Sequence, residues 1–230
     1  MAFAPDAKTL AVGGSASAAV RLYDIGTGKE ARTLKPPEEK EDAHGPMIIP
    51  FRPAPAPVFS LDGKLLAAPG RSVLHVWAVA TGEEVRRFAL PQDRAVGGAV
   101  FAPDGRTVAL DMQDGTVALW ELATGKRVRV FESGPLRIPA TPPGGPPGRA
   151  VPLAPVDPAL LAFSPDGGVL VHSHEREVAV WDVGSGKVLA RLKGHGGAVL
   201  AGAFAPDGHG LATASADTTV LVWNRKSGEW

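Results

Sequence analysis

The stretch GHGGAVLAGAFAPDGHGLATASADTTVLVW, residues 194–223, holds short apolar runs separated by corners rich in glycine, proline and aspartate. Runs of this kind, with turn signals about ten residues apart, are strands in hairpins and not helices. Its phenylalanine motif, FAPDGHGLAT from Phe204, has four earlier versions: MAFAPDAKTLAV at the start, FSLDGKLLAA from Phe59, FAPDGRTVAL from Phe101 and FSPDGGVLVH from Phe163. Each phenylalanine is followed 18 to 20 residues later by an aromatic in an apolar run: Tyr23, Trp77, Trp120, Trp181 and Trp223. Beyond each aromatic lies a glycine-bearing corner: GTGK, ATGE, ATGK, GSGK and KSGE. The chain is therefore five copies of one unit, and self-similarity at this period marks a repeat architecture.

The Pro-Asp-Gly corner suits a turn that needs a fixed φ early and a positive φ late, and the Thr/Ser-Gly corner does the same for the next hairpin. VLVW and VAVW are apolar at successive positions, which requires strands covered on both faces. Small four-stranded sheets stacked face to face around an axis meet that requirement. With 44% hydrophobic and 21% charged residues the 230-residue chain has the composition of a globular protein. Lys+Arg and Asp+Glu both total 24, so no net field draws in nucleic acid or an anionic membrane. The absence of cysteine excludes disulfides, thiol catalysis and cysteine-ligated zinc. No apolar run has the roughly 18 residues of a spanning helix and MAFAPDAK has no secretory pattern, so the location expected of the chain as written is cytoplasmic. High Ala, Gly, Pro and Arg content points to a high-GC bacterial source.

Gly-His, then Phe-Ser/Ala-Pro-Asp-Gly, then Ser/Thr, Asp and Trp closely resembles the WD40 repeat. The resemblance covers all five units, set at about 1–35, 58–90, 98–132, 159–193 and 194–230. It implies an all-β propeller of five four-stranded antiparallel blades, and function as a binding scaffold. It also implies that His195, Thr213, Asp217 and Trp223 form a hydrogen-bonded structural tetrad in the fifth unit. Counting back from each aromatic, the Asp place holds Asp114, Glu175, Arg71 and Ser17 in the third, fourth, second and first units. The Thr place by the same count holds Leu110, Val171, Ala67 and Gly13. These four units are expected to rely on packing.

Phe-to-Phe steps of 56, 42, 62 and 41 leave two units with extra residues. The insertions, 35–57 and 132–155, hold 15 of the 22 prolines and are expected to be extended loops. The resemblance places both on the rim that carries the tetrad histidine. One has an acidic run, Glu38 to Asp42 with Lys40 inside it, and the other carries Arg137 and Arg149. Long loops on a rigid scaffold are common binding elements, so Arg137 and Arg149 join Arg71, Gln113, His174 and Arg176, on the second-to-third-strand turns, as partner-surface candidates. In the family the first strand usually has Val where Met1 stands, and NRKSGEW stops where an outer strand is due. The expectation is thus a valine codon read as a start within a longer frame, an open arc of a larger ring, and self-association through its end blades.

Three stretches imitate chemistry. GSGK at 184–187 ends like a phosphate-binding loop, but Val188 stands where that loop needs Ser or Thr. His195, Thr213 and Asp217 have the residue types of a nucleophile triad, and the WD40 spacing assigns them to the tetrad instead. HSHE, 172–175, puts two imidazoles on one strand face, and two do not complete a zinc site. No catalytic residue, cofactor or metal site is assigned. The reading is a non-enzymatic scaffold for a protein or peptide partner, or a regulatory segment of a larger protein, with a propeller hydrolase or metal-dependent enzyme as the alternative.

Overall fold

A computed structural model describes residues 1–13, 19–36, 55–70, 73–90, 96–112, 115–132, 160–225 and 230. Every regular element among them is a strand, and the strands form five antiparallel sheets, each built from consecutive segments. Sheet 1 comprises Ala2–Phe3, Thr9–Gly13, Val20–Asp24 and Glu30–Leu34. Sheet 2 comprises Val58–Phe59, Leu65–Pro69, Val73–Ala78 and Glu84–Ala89. Sheet 3 is Val96–Phe101, Thr107–Met112, Thr116–Glu121 and Arg127–Glu132, and sheet 4 is Leu161–Phe163, Val169–His174, Glu177–Asp182 and Val188–Lys193. Sheet 5 has three strands, Val199–Phe204, Gly210–Ser215 and Val220–Asn224. That differs from the four expected; residues 226–229 lie outside the described residues.

The corners explain the hairpins. Gly63, Gly105, Gly167 and Gly208 of the first-to-second-strand turns have φ between 66° and 72°, and Ala7 fills the same slot in sheet 1 at φ 55°. The preceding aspartate ties each turn down: Asp62 Oδ1 accepts the Lys64 N–H at 3.0 Å, and Asp6, Asp104, Asp166 and Asp207 repeat the bond. Where serine precedes proline or its equivalent, Ser60 and Ser164 donate to that aspartate and accept the N–H of Leu65 and Val169. In the third-to-fourth-strand turns, Thr27 and Ser185 donate to Asp24 and Asp182, which holds both carboxyls below their ordinary range. In sheets 1 to 4 the register of the outer pair slips at the aromatic itself, between Leu22 and Tyr23 and at the matching places.

Strand pairing fixes which way each face looks. The aromatic of every sheet from the second on packs against the sheet before it. Trp77 joins Ala11, Val20, Leu22 and Leu34 of sheet 1. Trp120 lies 5.7 Å from Phe88 of sheet 2, and Trp181 lies 5.4 Å from Phe131 of sheet 3. Trp223 packs in the cluster of Leu192, Val178 and Val180 from sheet 4. Trp77 and Trp181 are 0% and 1% exposed, so each burial contributes several kcal/mol, about 25 cal/mol per Å² of apolar surface. The core is a set of layers between neighbouring sheets. Its two outermost faces are open: Phe3 is 67% exposed on sheet 1, and Val220 and Val222 are 64% and 66% exposed on sheet 5.

A second contact repeats along the outer edge. Arg86 on the fourth strand of sheet 2 donates from Nε to Leu122 O at 2.8 Å and from Nη2 to Ala123 O at 2.7 Å, in the third-to-fourth-strand turn of sheet 3. Arg129 of sheet 3 grips Ser185 O and Gly184 O of sheet 4, both at 2.8 Å, and Arg32 of sheet 1 donates to Thr81 O of sheet 2. The three arginines share one register place, opposite Leu22, Val76 and Leu119. The turn glycine makes room for the guanidinium: a Cβ on Gly82 would stand 2.8 Å from Arg32 Cδ, and one on Gly186 would collide with Arg129. Sheet 4 has Ala190 at this place.

Candidate functional site

Second-to-third-strand turns and the connections between sheets share one rim, because the strands are antiparallel and each sheet is joined in order. On that rim, His195 lies just ahead of the first strand of sheet 5. Trp223 Nε1 donates to Thr213 Oγ1 at 2.9 Å, and Thr213 Oγ1 meets His195 Nε2 at 2.8 Å. An indole N–H can only donate, so the Thr213 oxygen accepts it, and because the Asp217 carboxylate beside Nδ1 can only accept, Nε2 takes the Thr213 hydroxyl hydrogen. That leaves the proton of the neutral imidazole on Nδ1, which lies 3.3 Å from Asp217 Oδ2 and 3.2 Å from Thr219 Oγ1. Asp217 also accepts the Thr219 hydroxyl at 2.6 Å, the Thr219 N–H at 2.8 Å and the Gly196 N–H at 2.5 Å. The Thr219 hydroxyl and these backbone donors push the Asp217 carboxyl far below the ordinary aspartate range, against the opposing effect of its desolvation. The four side chains thus form one polarised chain from a half-buried indole to a carboxylate at the surface.

This geometry also answers the triad reading. Thr213 is 0% exposed and its hydroxyl is committed on both sides, to Trp223 and His195. A nucleophile so placed is out of a substrate's reach. GSGK at 184–187 is a hairpin corner in which Ser185 donates to Asp182 and Gly186 has φ 75°. No three His, Asp or Glu side chains converge as metal ligands among the described residues.

Pairing corrects the positions counted back from the aromatics. Thr213 lies two residues beyond Leu211, the partner of Trp223. The same step beyond Val108, Leu170, Leu66 and Leu10 reaches Leu110, His172, Ala68 and Val12. Val171, Ala67 and Gly13 are therefore each one residue off: the paired residue stands 12 before the aromatic in sheet 5 but 11 before it in sheets 2 and 4 and 13 before it in sheet 1, so a fixed count drifts. The consequence shows at the indoles. With Ala68 and Leu110 offering no acceptor, the Trp77 and Trp120 N–H groups are buried without a hydrogen-bond partner.

His172, 2% exposed, uses this place differently. Its Nε2 lies 3.1 Å from Asp111 Oδ1 of sheet 3, a buried polar link between sheets that HSHE, weighed only as an incomplete zinc site, does not suggest. In sheet 2, His75 stacks on Trp77 at 5.3 Å and meets Glu84 at 2.6 Å, while Arg87 reaches the other Glu84 oxygen at 3.0 Å. Burial opposes the Glu84 charge, but Arg87 and His75 outweigh it and hold the carboxyl below its ordinary range.

Among the partner-surface candidates, His174 is half-buried and Arg176 is exposed, on either side of the turn residue Glu175 at φ 53°. The turn is bonded to the next sheet. Val199 N donates to Glu175 O at 2.7 Å, and Ser173 Oγ accepts Leu160 N at 2.8 Å and donates to Val199 O at 3.0 Å. Arg71, Gln113, Arg137, Arg149, Asp114 and Ser17 lie outside the described residues, as does nearly all of both Pro-rich insertions.

The family model described as "WD domain, G-beta repeat" matches residues 186–224, the segment that contains the whole hydrogen-bonded chain. That segment is a WD40 repeat. It is 39% identical over 66 residues to the intraflagellar transport protein 122 homolog of Danio rerio, an alignment covering 29% of this chain and 6% of that protein. It is 27% identical over 194 residues to the LST8 homolog of Dictyostelium discoideum, covering 72% of this chain and 64% of the relative. Over 65 residues it is 35% identical to the guanine nucleotide-binding protein subunit beta of Saccharomyces cerevisiae, 28% of this chain and 15% of that one. The chain thus spans less than two thirds of the length of each of these relatives.

Proposed function

We propose that the chain is a non-enzymatic scaffold that binds a protein or peptide partner on the rim carrying His195. The observation behind this reading is the second-to-third-strand turn of sheet 4, bonded to sheet 5: exposed Glu175 and Arg176 ride on backbone that Val199 and Ser173 tie to the neighbouring sheet. Side chains held in this way meet a partner with little ordering cost, which favours binding. One relative is by name a subunit, a part of something larger. Regulatory service within a longer protein, and a bacterial, cytoplasmic setting, belong to the same proposal.

A peptide library selected against the purified chain tests it. Binders should lose most of their affinity for Arg176→Glu and His174→Ala variants that melt like the parent. Binders indifferent to both changes, or stoichiometric metal in the purified protein, would turn the reading toward another surface or toward the enzyme alternative.

A further inference from the structure

Four first-to-second-strand turns carry the same pair, Asp62 with Gly63, Asp104 with Gly105, Asp166 with Gly167 and Asp207 with Gly208, and all four aspartates are exposed. In each turn the glycine N–H donates at 2.9 Å to the carbonyl three residues back, and the aspartate Oδ1 accepts the N–H two residues on. The glycine φ values agree within a few degrees, from 66° to 72°. One bond divides the set. Ser60 donates its hydroxyl to Asp62 Oδ1 at 2.7 Å and Ser164 donates to Asp166 Oδ1 at 2.5 Å. Each serine oxygen is fixed in turn by the N–H of Leu65 or Val169, at 2.9 and 2.8 Å. Ala102 and Ala205 hold this place in sheets 3 and 5 and have no hydroxyl to give.

From this difference we infer that, of the four turns, those of sheets 3 and 5 are sites of isoaspartate formation, at Asp104 and Asp207, while the serines of sheets 2 and 4 protect Asp62 and Asp166. In the reaction the glycine nitrogen attacks Cγ of the neutral aspartic acid. A C–N bond forms, the carboxyl OH leaves with the N–H proton as water, and a five-membered succinimide results. Water then opens the ring. Attack at Cγ restores aspartate, and attack at the α-carbonyl leaves the main chain running through Cβ and Cγ. The water lost in the first step returns in the second, so the net change is an isomerisation that needs no further reactant. Glycine, lacking a Cβ, crowds the attacking nitrogen least. To reach that nitrogen the carboxyl must turn away from its hydrogen-bond donors. At Asp104 and Asp207 this gives up the bond from the residue two on; at Asp62 and Asp166 it gives up the serine's as well. The serine hydroxyl is also the main cause that holds the Asp62 and Asp166 carboxyls below their ordinary range, which keeps them in the unreactive ionised form. The product adds one carbon to the main chain of the turn, so the hairpins that age first are those of sheets 3 and 5.

The test incubates the full chain in mildly acidic buffer well below its melt and maps isoaspartate by peptide mass spectrometry, with fragmentation that tells it from aspartate. Ser164→Ala and Ala205→Ser chains run beside it, each shown by a melt to be folded, together with the parent in concentrated urea. Ser60→Ala, at the equivalent place, replaces Ser164→Ala should that chain unfold. In the folded parent Asp104 and Asp207 should convert roughly tenfold faster than Asp62 and Asp166, the worth of one hydrogen bond to a charged group. Ser164→Ala should raise Asp166 to the rate of Asp104 and leave Asp62 unchanged, and Ala205→Ser should slow Asp207 to the rate of Asp62. In urea, where the turns are gone, the four rates should lie close together. Four equal rates in the folded parent overturn the inference, as does a folded parent that forms no isoaspartate while the urea sample does. So does the folded ranking persisting in urea, which would trace it to the neighbouring residues, or a serine-to-alanine change that leaves its aspartate as slow as before.

Discussion

Asp217 gathers donors from Thr219, Gly196 and Gly197 while His195 leans on it from the side. An asparagine there would present an amide N–H₂ to groups that are themselves donors. Asp217→Asn is expected to lower the melting temperature by several degrees at neutral pH. The folded carboxyl titrates below its unfolded value, so its stabilisation is complete above the ordinary aspartate range and is lost as pH falls through the folded value. Melts of parent and variant should therefore converge below about pH 4. An unchanged gap between pH 7 and pH 3 would show that the charge is not what stabilises the turn. Ala7 is a second case, in the left-handed slot that glycine fills four times elsewhere. Ala7→Gly should raise stability by up to about 1 kcal/mol in a urea melt, since the left-handed region costs a Cβ-bearing residue roughly that much. At this scale the sequence was legible where motif and spacing coincide, as at Thr213 and Trp223. It misled wherever a count crossed a turn of variable length, which is why His172 was not placed beside Asp111.

Between neighbouring elements, the arginine contacts join one sheet's last strand to the next sheet's turn. Arg86 is exposed, so its two bonds contribute modestly: Arg86→Ala should cost about 1 kcal/mol by denaturant melt. Arg86→Lys should recover little of that, because an ammonium cannot span two carbonyls as a planar fork does. Full recovery by lysine would mean that charge alone matters at the turn. The pattern stands in the sequence, nine residues beyond Tyr23, Trp77 and Trp120, with Ala190 breaking it after Trp181. It went unread because a lone arginine on an outer strand looks like ordinary solvated surface; only the neighbouring turn's bare carbonyls give it a purpose. The hairpins themselves were plain from proline, aspartate and glycine at fixed offsets.

Across the molecule, the same side chain has a different worth according to where its sheet lies in the stack. Trp181→Ala, in a filled interface beside Phe131, should cost about 3–5 kcal/mol. Tyr23→Ala occupies the equivalent place in sheet 1, where no preceding sheet covers it among the described residues, and should cost about 1 kcal/mol or less. Equal losses in a denaturant melt would contradict the open face. Alternating turn signals and doubly covered strands carried the stacked architecture from sequence to structure, but no local signal says how one unit's flank suits another's.

Aromatics that reach backward and arginines that reach forward give the stack a direction, much as tongue and groove boards have a leading edge. Excising one whole unit leaves a tongue facing a groove: without sheet 3, Arg86 and Phe88 of sheet 2 would confront the turn and indole that Arg129 and Phe131 now serve. Such a chain can gain or lose length by whole units while each remaining joint stays the same.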